Sequence, residues 1–414
     1  MVILNEVKNL MKIEELYDIY LHSAGVSTDT RTLRKNQLFF ALKGENFDGN
    51  AFVDQAREKG ASYVVAGENG LETLKELAAY HRRQLRIPVI GLTGTNGKTT
   101  TKELIKRALG AAYRVSATEG NLNNEIGVPL TVLRIHPRAQ IAIVEMGASH
   151  PEDLKPLLAV AQPNLGLITN VGKGHLLGFG SYEGVKHAKG LLYDYLKEHD
   201  GVAFANADDP VLQEMLAQRG LEAILYSGEG VKAKADPFLE LRFEDAILKT
   251  QLVGAYNAPN VLAALRIAWY FDVPREDALQ AVASYVPSNN RSQLVKTKRN
   301  TLIVDAYNAN PSSMAVALDN LAHMKGRKVA LLGDMRELGE EAAAEHRQVV
   351  ERLRDTEAYL VGEEFARAAK GTPHKTFATS RDLAEYLREN PLEGCTVLLK
   401  GSHSIQMEKV IDVL

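Results

Sequence analysis

The sequence predicts an α/β protein with three domains, and three observations support that class. The chain has 414 residues, which is more than one typical domain contains. Short apolar runs alternate with helical patterns along most of its length, as in parallel sheets that carry helices on both faces. Residues 287–290, Pro-Ser-Asn-Asn, interrupt this alternation with a composition typical of a hinge.

The expected domain boundaries follow these changes of pattern. Residues 1–85 are predicted to form a small N-terminal α/β domain, and residues 86–286 a central domain with a parallel sheet. Residues 287–414 are predicted to form a C-terminal Rossmann-like domain. A cleaner amphipathic segment begins at Met11, so we expect residues 1–10 to be an extension outside the fold.

The predicted strands are short and apolar, and they comprise residues 37–42, 62–66, 89–93, 141–145, 165–169, 202–206, 301–305, 328–332, 358–361 and 396–400. Helical patterns are predicted from about residue 71, over 100–109 and over 257–271. We expect the last of these helices to close the central domain.

Charge and composition exclude several classes of protein. The 49 basic and 52 acidic residues give a net charge of −3, so no large basic field indicates nucleic-acid binding. No apolar run approaches the roughly 20 residues that span a bilayer, so we expect no membrane insertion. Cys395 is the single cysteine, which rules out an intrachain disulfide and fits a reducing compartment. We expect a cytoplasmic monomer.

A glycine-rich loop lies between the predicted strand at 89–93 and the predicted helix at 100–109. It has the sequence Thr93, Gly94, Thr95, Asn96, Gly97, Lys98 and Thr99, followed by Thr100. Such loops turn backbone N–H groups toward phosphate oxygens at a helix N-terminus, so we expect these residues to bind ATP. Lys98 is expected to reach the β- and γ-phosphates and Thr99 to hold Mg²⁺. The general pattern needs glycine where Leu92 stands, so the loop is a variant; the alternative is a turn without a ligand.

Polar residues also follow the next predicted strands. Glu145 ends one strand, at the edge of the sheet where α/β proteins bind ligands, and a carboxylate there suits Mg²⁺. His175 follows another strand on a glycine-flanked loop, where a ligand role is credible. The alternatives are an exposed strand end for Glu145 and a structural or solvated side chain for His175.

Thr-Gly-Thr-Asn-Gly-Lys-Thr is the form of this loop found in the Mur ligase and folylpolyglutamate synthase superfamily, and the chain resembles that family from about residue 11 to 414. The resemblance implies an ATP-dependent ligase with two Mg²⁺ ions. It implies that Lys189 is carbamylated and holds the second ion together with His175, which makes Lys98, His175 and Lys189 the expected catalytic residues. By sequence alone, Lys189 is an ordinary surface lysine at the start of a helix.

The same resemblance assigns further ATP contacts to Asn257, Asn260, Arg291 and Asp305. Residues 254–260 are similar to the family element Gly-x-His-Asn-x-x-Asn, with Tyr256 in place of histidine. The two asparagines could equally cap a helix. Arg291 is expected to close over the nucleotide phosphates and Asp305 to contact the ribose or phosphate side; otherwise they are a surface charge and a turn residue.

Residues 118–127, 305–314 and 332–339 are similar to one branch of the family, which joins D-alanyl-D-alanine to a UDP-N-acetylmuramoyl-tripeptide. Residues 28–31 and 39–49 resemble its UDP-binding domain, so the central domain would be the P-loop ATPase domain. The implied reaction passes through an acyl phosphate. The expected substrate contacts are Thr28, Asp29, Thr30, Arg31, Asn121, Asn124, Tyr307 and Asn308. Diaminopimelate and lysine both stay open as the third residue of the tripeptide.

Two positions depart from this branch. Asn50 stands where histidine is usual, and His403 stands where arginine is usual, which replaces a permanent forked donor. Two rival classes stay open. A sister ligase that adds glutamate or another amino acid is disfavoured by residues 305–314, and a non-catalytic nucleotide-binding regulator is disfavoured by the full set of expected metal ligands.

Overall fold

The computed structural model describes residues 11–44, 47–288, 291–353 and 355–414. The predicted extension at residues 1–10 and part of the predicted hinge, residues 289–290, lie outside the described residues. Within these ranges no helix combines the length and apolarity needed to cross a bilayer. The described chain forms three α/β units in chain order. The domain boundaries at 85/86 and 286/287 stay predictions.

The N-terminal unit is a small parallel sheet, in the order β1-β2-β5, with helices packed against it. Its elements are α1 (Ile13–Leu21), β1 (Val26–Ser27), β2 (Leu38–Phe40), β3 (Lys43–Gly44), β4 (Phe47–Asp48), α2 (Val53–Glu58), β5 (Tyr63–Val65) and α3 (Gly70–Gln84). Leu74, Leu77 and Ala78 of α3 share one helix face and are fully buried. The strands are shorter than the predicted 37–42 and 62–66.

The central unit is a parallel sheet in the order β11-β10-β9-β6-β8-β7, followed by an antiparallel sheet in the order β12-β13-β14. Its elements are β6 (Val89–Thr93), α4 (Lys98–Gly110), β7 (Val115–Ala117), α5 (Gly127–Leu133), β8 (Ile141–Glu145), α6 (Leu154–Ala161), β9 (Leu165–Ile168), α7 (Leu176–Phe179), α8 (Tyr182–Glu198), β10 (Val202–Asn206), α9 (Pro210–Arg219), β11 (Ala223–Tyr226), β12 (Lys232–Ala235), β13 (Phe238–Arg242), β14 (Ile247–Val253), α10 (Ala258–Tyr270) and α11 (Arg275–Ala283).

The position of β6 determines where this unit can bind a ligand. Each residue of β6 and β8 is buried, as the continuous apolar runs predicted. β6 pairs in parallel with β8 on one side and with β9 on the other, so the C-terminal ends of the three strands lie side by side. The loops after these three strands therefore meet at one edge, in the crevice that α/β sheets use for ligands.

Two details of the predicted helices were wrong. Lys189 lies in the middle of α8 and not at a helix start, because Ser181 caps the helix with its Oγ atom accepting from Gly184 N at 3.0 Å. The helix predicted at 257–271 does not close the central unit. Pro274 starts a further helix, α11, which packs against α4.

The C-terminal unit is a sheet in the order β15-β16-β20-β17-β18-β19, parallel except for β15. Its elements are β15 (Gln293–Lys296), β16 (Thr301–Asp305), α12 (Pro311–His323), β17 (Arg327–Gly333), α13 (Ala342–Arg352), β18 (Glu357–Val361), α14 (Glu363–Ala368), β19 (Lys375–Phe377), α15 (Ser380–Glu389) and β20 (Cys395–Lys400). Asn310 caps α12 and Pro311 occupies its first turn, so this Asn-Pro pair begins the helix.

The C-terminal unit lies directly against the phosphate loop. Asn310 Nδ2 donates to Asn96 Oδ1 at 2.8 Å, and Lys173 N donates to Ser312 Oγ at 3.0 Å. Lys173 Nζ also pairs with Glu345 Oε1 at 2.7 Å. The N-terminus of α12 is therefore held at the edge of the sheet where the loops of the central unit meet.

Candidate active site

The loop after β6 has the shape of a phosphate cradle. Gly94 has a φ of +142° and Gly97 a φ of +79°, conformations that other residues rarely adopt. A Cβ on Gly94 would lie 2.0 Å from Thr169 Oγ1, and one on Gly97 would lie 2.8 Å from Asn260 Oδ1. Both glycines are therefore required for the turn that begins α4, whose N-terminus attracts anions.

The end of β9 holds this loop in place. Asn170 O accepts from Thr95 N at 3.0 Å, and Asn170 Oδ1 accepts from Asn96 N at 3.0 Å. Thr169 Oγ1 donates to Asn96 O at 2.7 Å. Sequence reasoning assigned no role to Asn170, because an asparagine after a strand is also an ordinary turn residue.

Lys98 reaches into the loop from the first turn of α4. Its Nζ atom donates to Gly94 O at 2.7 Å and to Thr95 O at 3.2 Å. Burial lowers the pKa of Lys98; Glu145 opposes this effect and Arg291 adds to it. A phosphate in the cradle would favour the charged form of this amine.

Thr99 and Glu145 form a buried pair of oxygen groups beside Lys98. Thr99 Oγ1 donates to Glu145 Oε2 at 3.0 Å, and both residues are at most 3% exposed. Asn123 Nδ2 donates to Glu145 Oε1 at 2.9 Å, so it fixes the orientation of the carboxylate. Sequence reasoning missed Asn123 and chose its neighbours Asn121 and Asn124 instead.

A second layer of contacts supports the same carboxylate. Thr118 Oγ1 accepts from Glu145 N at 2.9 Å, and Thr118 O accepts from Lys102 Nζ at 2.6 Å. Lys102 is fully buried on α4 and also pairs with Glu103 at 2.9 Å. The helix that carries Lys98 is thereby tied to the strand end that carries Glu145.

The pair of Thr99 and Glu145 fits one Mg²⁺ ion. Mg²⁺ usually takes one or two protein oxygens and completes its octahedron with water and substrate phosphate. Within the described ranges, no group of three or more His, Cys, Asp and Glu residues could hold a metal ion. The pair would therefore bind the ion together with a nucleotide and not alone.

His175 lies on a strained turn between the central and C-terminal units. Its φ is +53°, and its Nδ1 atom pairs with Glu337 Oε2. The hydrogen bond from His175 holds the pKa of Glu337 below its usual value. The ring also meets the edge of Phe179 at 6.4 Å between centroids. The expected metal ligand is thus engaged with a carboxylate of the other unit.

Lys189 is a buried amine next to the cavity and not a surface lysine. It is 2% exposed, its Nζ atom donates to Ala148 O at 3.2 Å, and it lies 5.2 Å from the centre of the Phe179 ring. Burial lowers the pKa of Lys189 well below its usual value, Lys98 lowers it further, and Asp153 raises it. Such an amine is readily neutral, which is the form that reacts with electrophiles.

Asn257 and Asn260 lie at the start of α10, against the phosphate loop. Asn257 Nδ2 donates to Val253 O at 2.9 Å, and Asn260 Nδ2 donates to Asn257 Oδ1 at 3.0 Å. Asn260 Oδ1 accepts from Thr101 Oγ1 at 3.1 Å. Both amides therefore have structural partners while they also line the cavity.

Arg291 and Asp305 lie on the C-terminal side of the cavity. The Arg291 guanidinium lies 3.7 Å from the centre of the Tyr307 ring. Asp305 Oδ2 pairs with Lys400, which is 1% exposed and also donates to Asn308 O at 3.3 Å. Sequence reasoning gave no role to Lys400. Lys400 and Asp305 each end a predicted strand, and this shared position is the signal that could have indicated their pairing.

These elements enclose a cavity of about 930 Å³, at the upper end of the sizes typical of ligand sites. The predicted residues that line it are Thr95, Asn96, Gly97, Lys98, Thr99, Thr100, Asn124, Glu145, His175, Asn257, Asn260, Arg291, Asp305, Tyr307 and Asn308. Thr93 and Gly94 are buried at the end of β6, behind this lining. Ser149, His150 and Asp153 also line the cavity and carried no sequence signal.

Five of the predicted substrate residues lie outside this lining, namely Thr28, Asp29, Thr30, Arg31 and Asn121. Asp29 and Arg31 form an exposed bidentate ion pair in the N-terminal unit, with Arg31 Nη2 at 2.7 Å from Asp29 Oδ2. Thr28 and Thr30 lie in the same loop. Asn121 is exposed, whereas Asn124 lines the cavity, and its Oδ1 atom accepts from Gly127 N, the first residue of α5, at 2.9 Å.

The two departures have separate structural settings. Asn50 Oδ1 accepts from Gly67 N at 2.7 Å, and Asn50 Nδ2 donates to Asp48 Oδ1 at 2.7 Å. The ring of His403 stacks on that of Tyr307, with 6.0 Å between centroids. His403 therefore contacts the same ring as Arg291 does.

The fold and this site define an ATP-dependent ligase, and the chain belongs to the Mur ligase family. Family models match the Mur ligase family catalytic domain over residues 22–93, the Mur ligase middle domain over 92–268, and the Mur ligase glutamate ligase domain over 290–403. Together these matches cover most of the chain.

Several relatives that are at least 30% identical over nearly the full chain share one activity name. A Bacillus subtilis protein called UDP-N-acetylmuramoyl-tripeptide–D-alanyl-D-alanine ligase is 34% identical, over 94% of this chain and 92% of its own. The crystal structure of MurF from Acinetobacter baumannii is 28% identical, with a TM-score of 0.84 over 94% of this chain and 92% of its own. MurF ligase from Thermotoga maritima, solved in complex with ADP, is 27% identical, with a TM-score of 0.82 over 95% of this chain and 97% of its own.

Proposed function

We propose that this protein joins D-alanyl-D-alanine to the terminal carboxylate of a UDP-N-acetylmuramoyl-tripeptide, with ATP as the energy source. The observation that carries the proposal is the phosphate cradle, with Lys98 and the pair of Thr99 and Glu145 facing one large cavity. The activity name shared by relatives that match over nearly the full chain supports this choice of substrates. The same relatives argue against the rival sister ligase and the non-catalytic regulator.

The reaction has two steps. A carboxylate oxygen of the tripeptide attacks the γ-phosphorus of ATP, and the bond to ADP breaks to give an acyl phosphate. The amine of D-alanyl-D-alanine then attacks the acyl carbon, phosphate leaves, and the amine gives up a proton. The protein contributes positioning and charge neutralisation, since none of its groups needs to form a covalent bond.

Each expected contact then has a defined task. Lys98 neutralises charge on the β- and γ-phosphates, while the loop amides orient them. Thr99 and Glu145 would hold a Mg²⁺ ion, which supplies Lewis acidity at the phosphates. Asn257, Asn260 and Asp305 border the nucleotide, and Arg291 approaches its phosphates from the C-terminal unit. Their positions in the lining of one cavity support these roles.

In this proposal Lys189 and His175 would hold a second Mg²⁺ ion. The neutral amine of Lys189 would add to carbon dioxide and lose a proton, which gives a carbamate. The side chain would then carry an anionic oxygen ligand in place of the usual ammonium cation. Its deep burial and the pKa that this burial lowers both favour that step. His175 would have to leave its partner Glu337 in order to coordinate the ion.

The remaining substrate contacts are distributed over all three units. Thr28, Asp29, Thr30 and Arg31 would bind the UDP part in the N-terminal unit, while Asn121, Asn124, Tyr307 and Asn308 would contact the peptide parts. We further propose a cytoplasmic location, because the nucleotide-linked substrate and ATP are both cytoplasmic metabolites of the implied reaction. We also propose that the protein is a monomer, since the one chain supplies the whole lining of the cavity.

ADP release separates this function from its rivals. The purified protein is incubated with ATP and Mg²⁺ and with each peptide substrate singly or together. We expect release only when both UDP-N-acetylmuramoyl-tripeptide and D-alanyl-D-alanine are present. Release with glutamate in place of the dipeptide would favour the sister ligase. Release with neither peptide substrate, or no release under any condition, would contradict the proposed function.

A further inference from the structure

Tyr256 is the residue at which the chain departs from the family element at 254–260, and its surroundings are unusual. Its ring lies over Gly254, where φ is +90° and an added Cβ would lie 2.2 Å from Tyr256 Cε1. The glycine is therefore needed for this position of the ring. The hydroxyl of Tyr256 lies 2.6 Å from Ser292 Oγ, at the beginning of the C-terminal unit.

Ser292 is a strained residue at the junction of the two units. Its φ is +50°, a conformation that costs about 1–2 kcal/mol for a residue with a Cβ. Ser292 is 8% exposed, and its N–H donates to Asp305 Oδ1 at 3.2 Å. The hydrogen bond between the hydroxyls of Tyr256 and Ser292 and the backbone hydrogen bond to Asp305 therefore both stabilise Ser292 in this conformation.

The residue before Ser292 is Arg291, the expected phosphate contact. Its guanidinium lies on the face of Tyr307 and not in an ion pair with any described carboxylate, so its N–H donors remain available to an anion. Asp305 is fixed in turn by Lys400. Ser292 therefore connects the backbone next to Arg291 with the side chain of Asp305.

We propose that Tyr256 is a positioning residue that holds Arg291 and Asp305 over the nucleotide through its hydrogen bond to Ser292. This inference rests on the proposed function, because it takes the cavity as the nucleotide site. Loss of the bond lets Ser292 leave its left-handed conformation, and Arg291 then samples orientations that miss the phosphates. Binding of the nucleotide weakens, while the bound complex retains its chemistry.

The test removes each hydroxyl separately and together. We expect Y256F and S292A each to raise KM for ATP and Kd for ADP by about 3- to 10-fold, the range of one net hydrogen bond, with kcat nearly unchanged. Because both substitutions remove the same hydrogen bond, the double variant should bind ADP as tightly as the single variant with the lower affinity. S292A carries the test if Y256F does not fold.

The matched control is Y113F. Tyr113 donates a hydrogen bond of the same length, 2.6 Å, to Phe271 O inside the central unit and away from the cavity. Y113F should leave KM and Kd unchanged, with a Tm similar to that of Y256F. ADP affinity is measured by calorimetry on the protein alone, so it does not depend on the peptide substrates.

Three outcomes would overturn the positioning role, and a fourth would contradict the proposed function. Wild-type affinity for ADP in both single variants, or effects that multiply fully in the double variant, would overturn the positioning role. A lower Tm in Y256F with unchanged Kd would reduce Tyr256 to a structural residue and overturn the role as well. A wild-type protein that binds no ADP would instead contradict the proposed function itself.

Discussion

Replacement of Arg291 by alanine separates catalysis from stability. The contact that alanine removes from the folded protein is the stacking on Tyr307 at 3.7 Å, which contributes about 0.5–1 kcal/mol at an accessible site. We therefore expect Tm to fall by no more than about 4 °C. A hydrogen bond between charged groups contributes about 1.5–3 kcal/mol, so loss of one phosphate contact should lower kcat/KM by about 10- to 150-fold.

The assay measures ADP release at varied ATP, with Tm determined on the same samples. R275A is the matched control, since Arg275 also lies on aromatic rings, 5.3 Å from Trp269 and 5.5 Å from Phe243, but outside the cavity. R275A should lose at least as much stability and keep its kcat/KM. Wild-type activity in R291A, or a loss of activity that R275A shares, would refute the assigned role.

Three further predictions address other parts of the site. E145Q keeps the shape but not the charge of Glu145, so the Mg²⁺ concentration for half-maximal activity should rise at least about tenfold; an unchanged requirement would place the ion elsewhere. G94A should abolish ADP binding because its Cβ would lie 2.0 Å from a neighbouring hydroxyl, whereas G120A, also at positive φ but in open space, should bind normally; equal binding would contradict the cradle. Because His175 lowers the pKa of Glu337, this contact stabilises the fold above about pH 4.5 and is lost as the pH falls through the lowered pKa. E337Q should thus be less stable than wild type at neutral pH, by about 0.5 kcal/mol or less, and Tm values that stay apart in acid would exclude this linkage.

The buried parallel strands could be predicted from the sequence almost residue by residue. Val89–Thr93, Ile141–Glu145 and Thr301–Asp305 are observed as predicted, because a strand buried on both faces is a continuous apolar run. The antiparallel sheet from Lys232 to Val253 was missed. Its strands are partly exposed and mix polar with apolar residues, so they lack that signal.

The phosphate loop was also predictable, since its glycines, lysine and threonine are contiguous and its geometry follows from them. The asparagines after β7 were harder to assign. Asn121, Asn123 and Asn124 share one short segment, yet the first makes no contact with the cavity, the second orients Glu145 and the third accepts a hydrogen bond from the first residue of α5. Only the three-dimensional path of the loop distinguishes these roles.

Contacts between units were beyond prediction for a related reason. His175 pairs with Glu337, and Tyr256 bonds to Ser292, through residues far apart in the chain. No periodicity or local motif specifies such pairs, because they depend on how the C-terminal unit docks on the central one. The family resemblance gave the residue types expected at the site but not these partners.

The most direct test of the central claim is the mass of the product. The protein is incubated with ATP, Mg²⁺, UDP-N-acetylmuramoyl-tripeptide and D-alanyl-D-alanine, and the mixture is analysed by mass spectrometry alongside an ADP assay. We expect the tripeptide substrate to gain the mass of the dipeptide less one water, with one ADP released for each product molecule. ADP release without this product, or a product formed without ATP, would contradict the account.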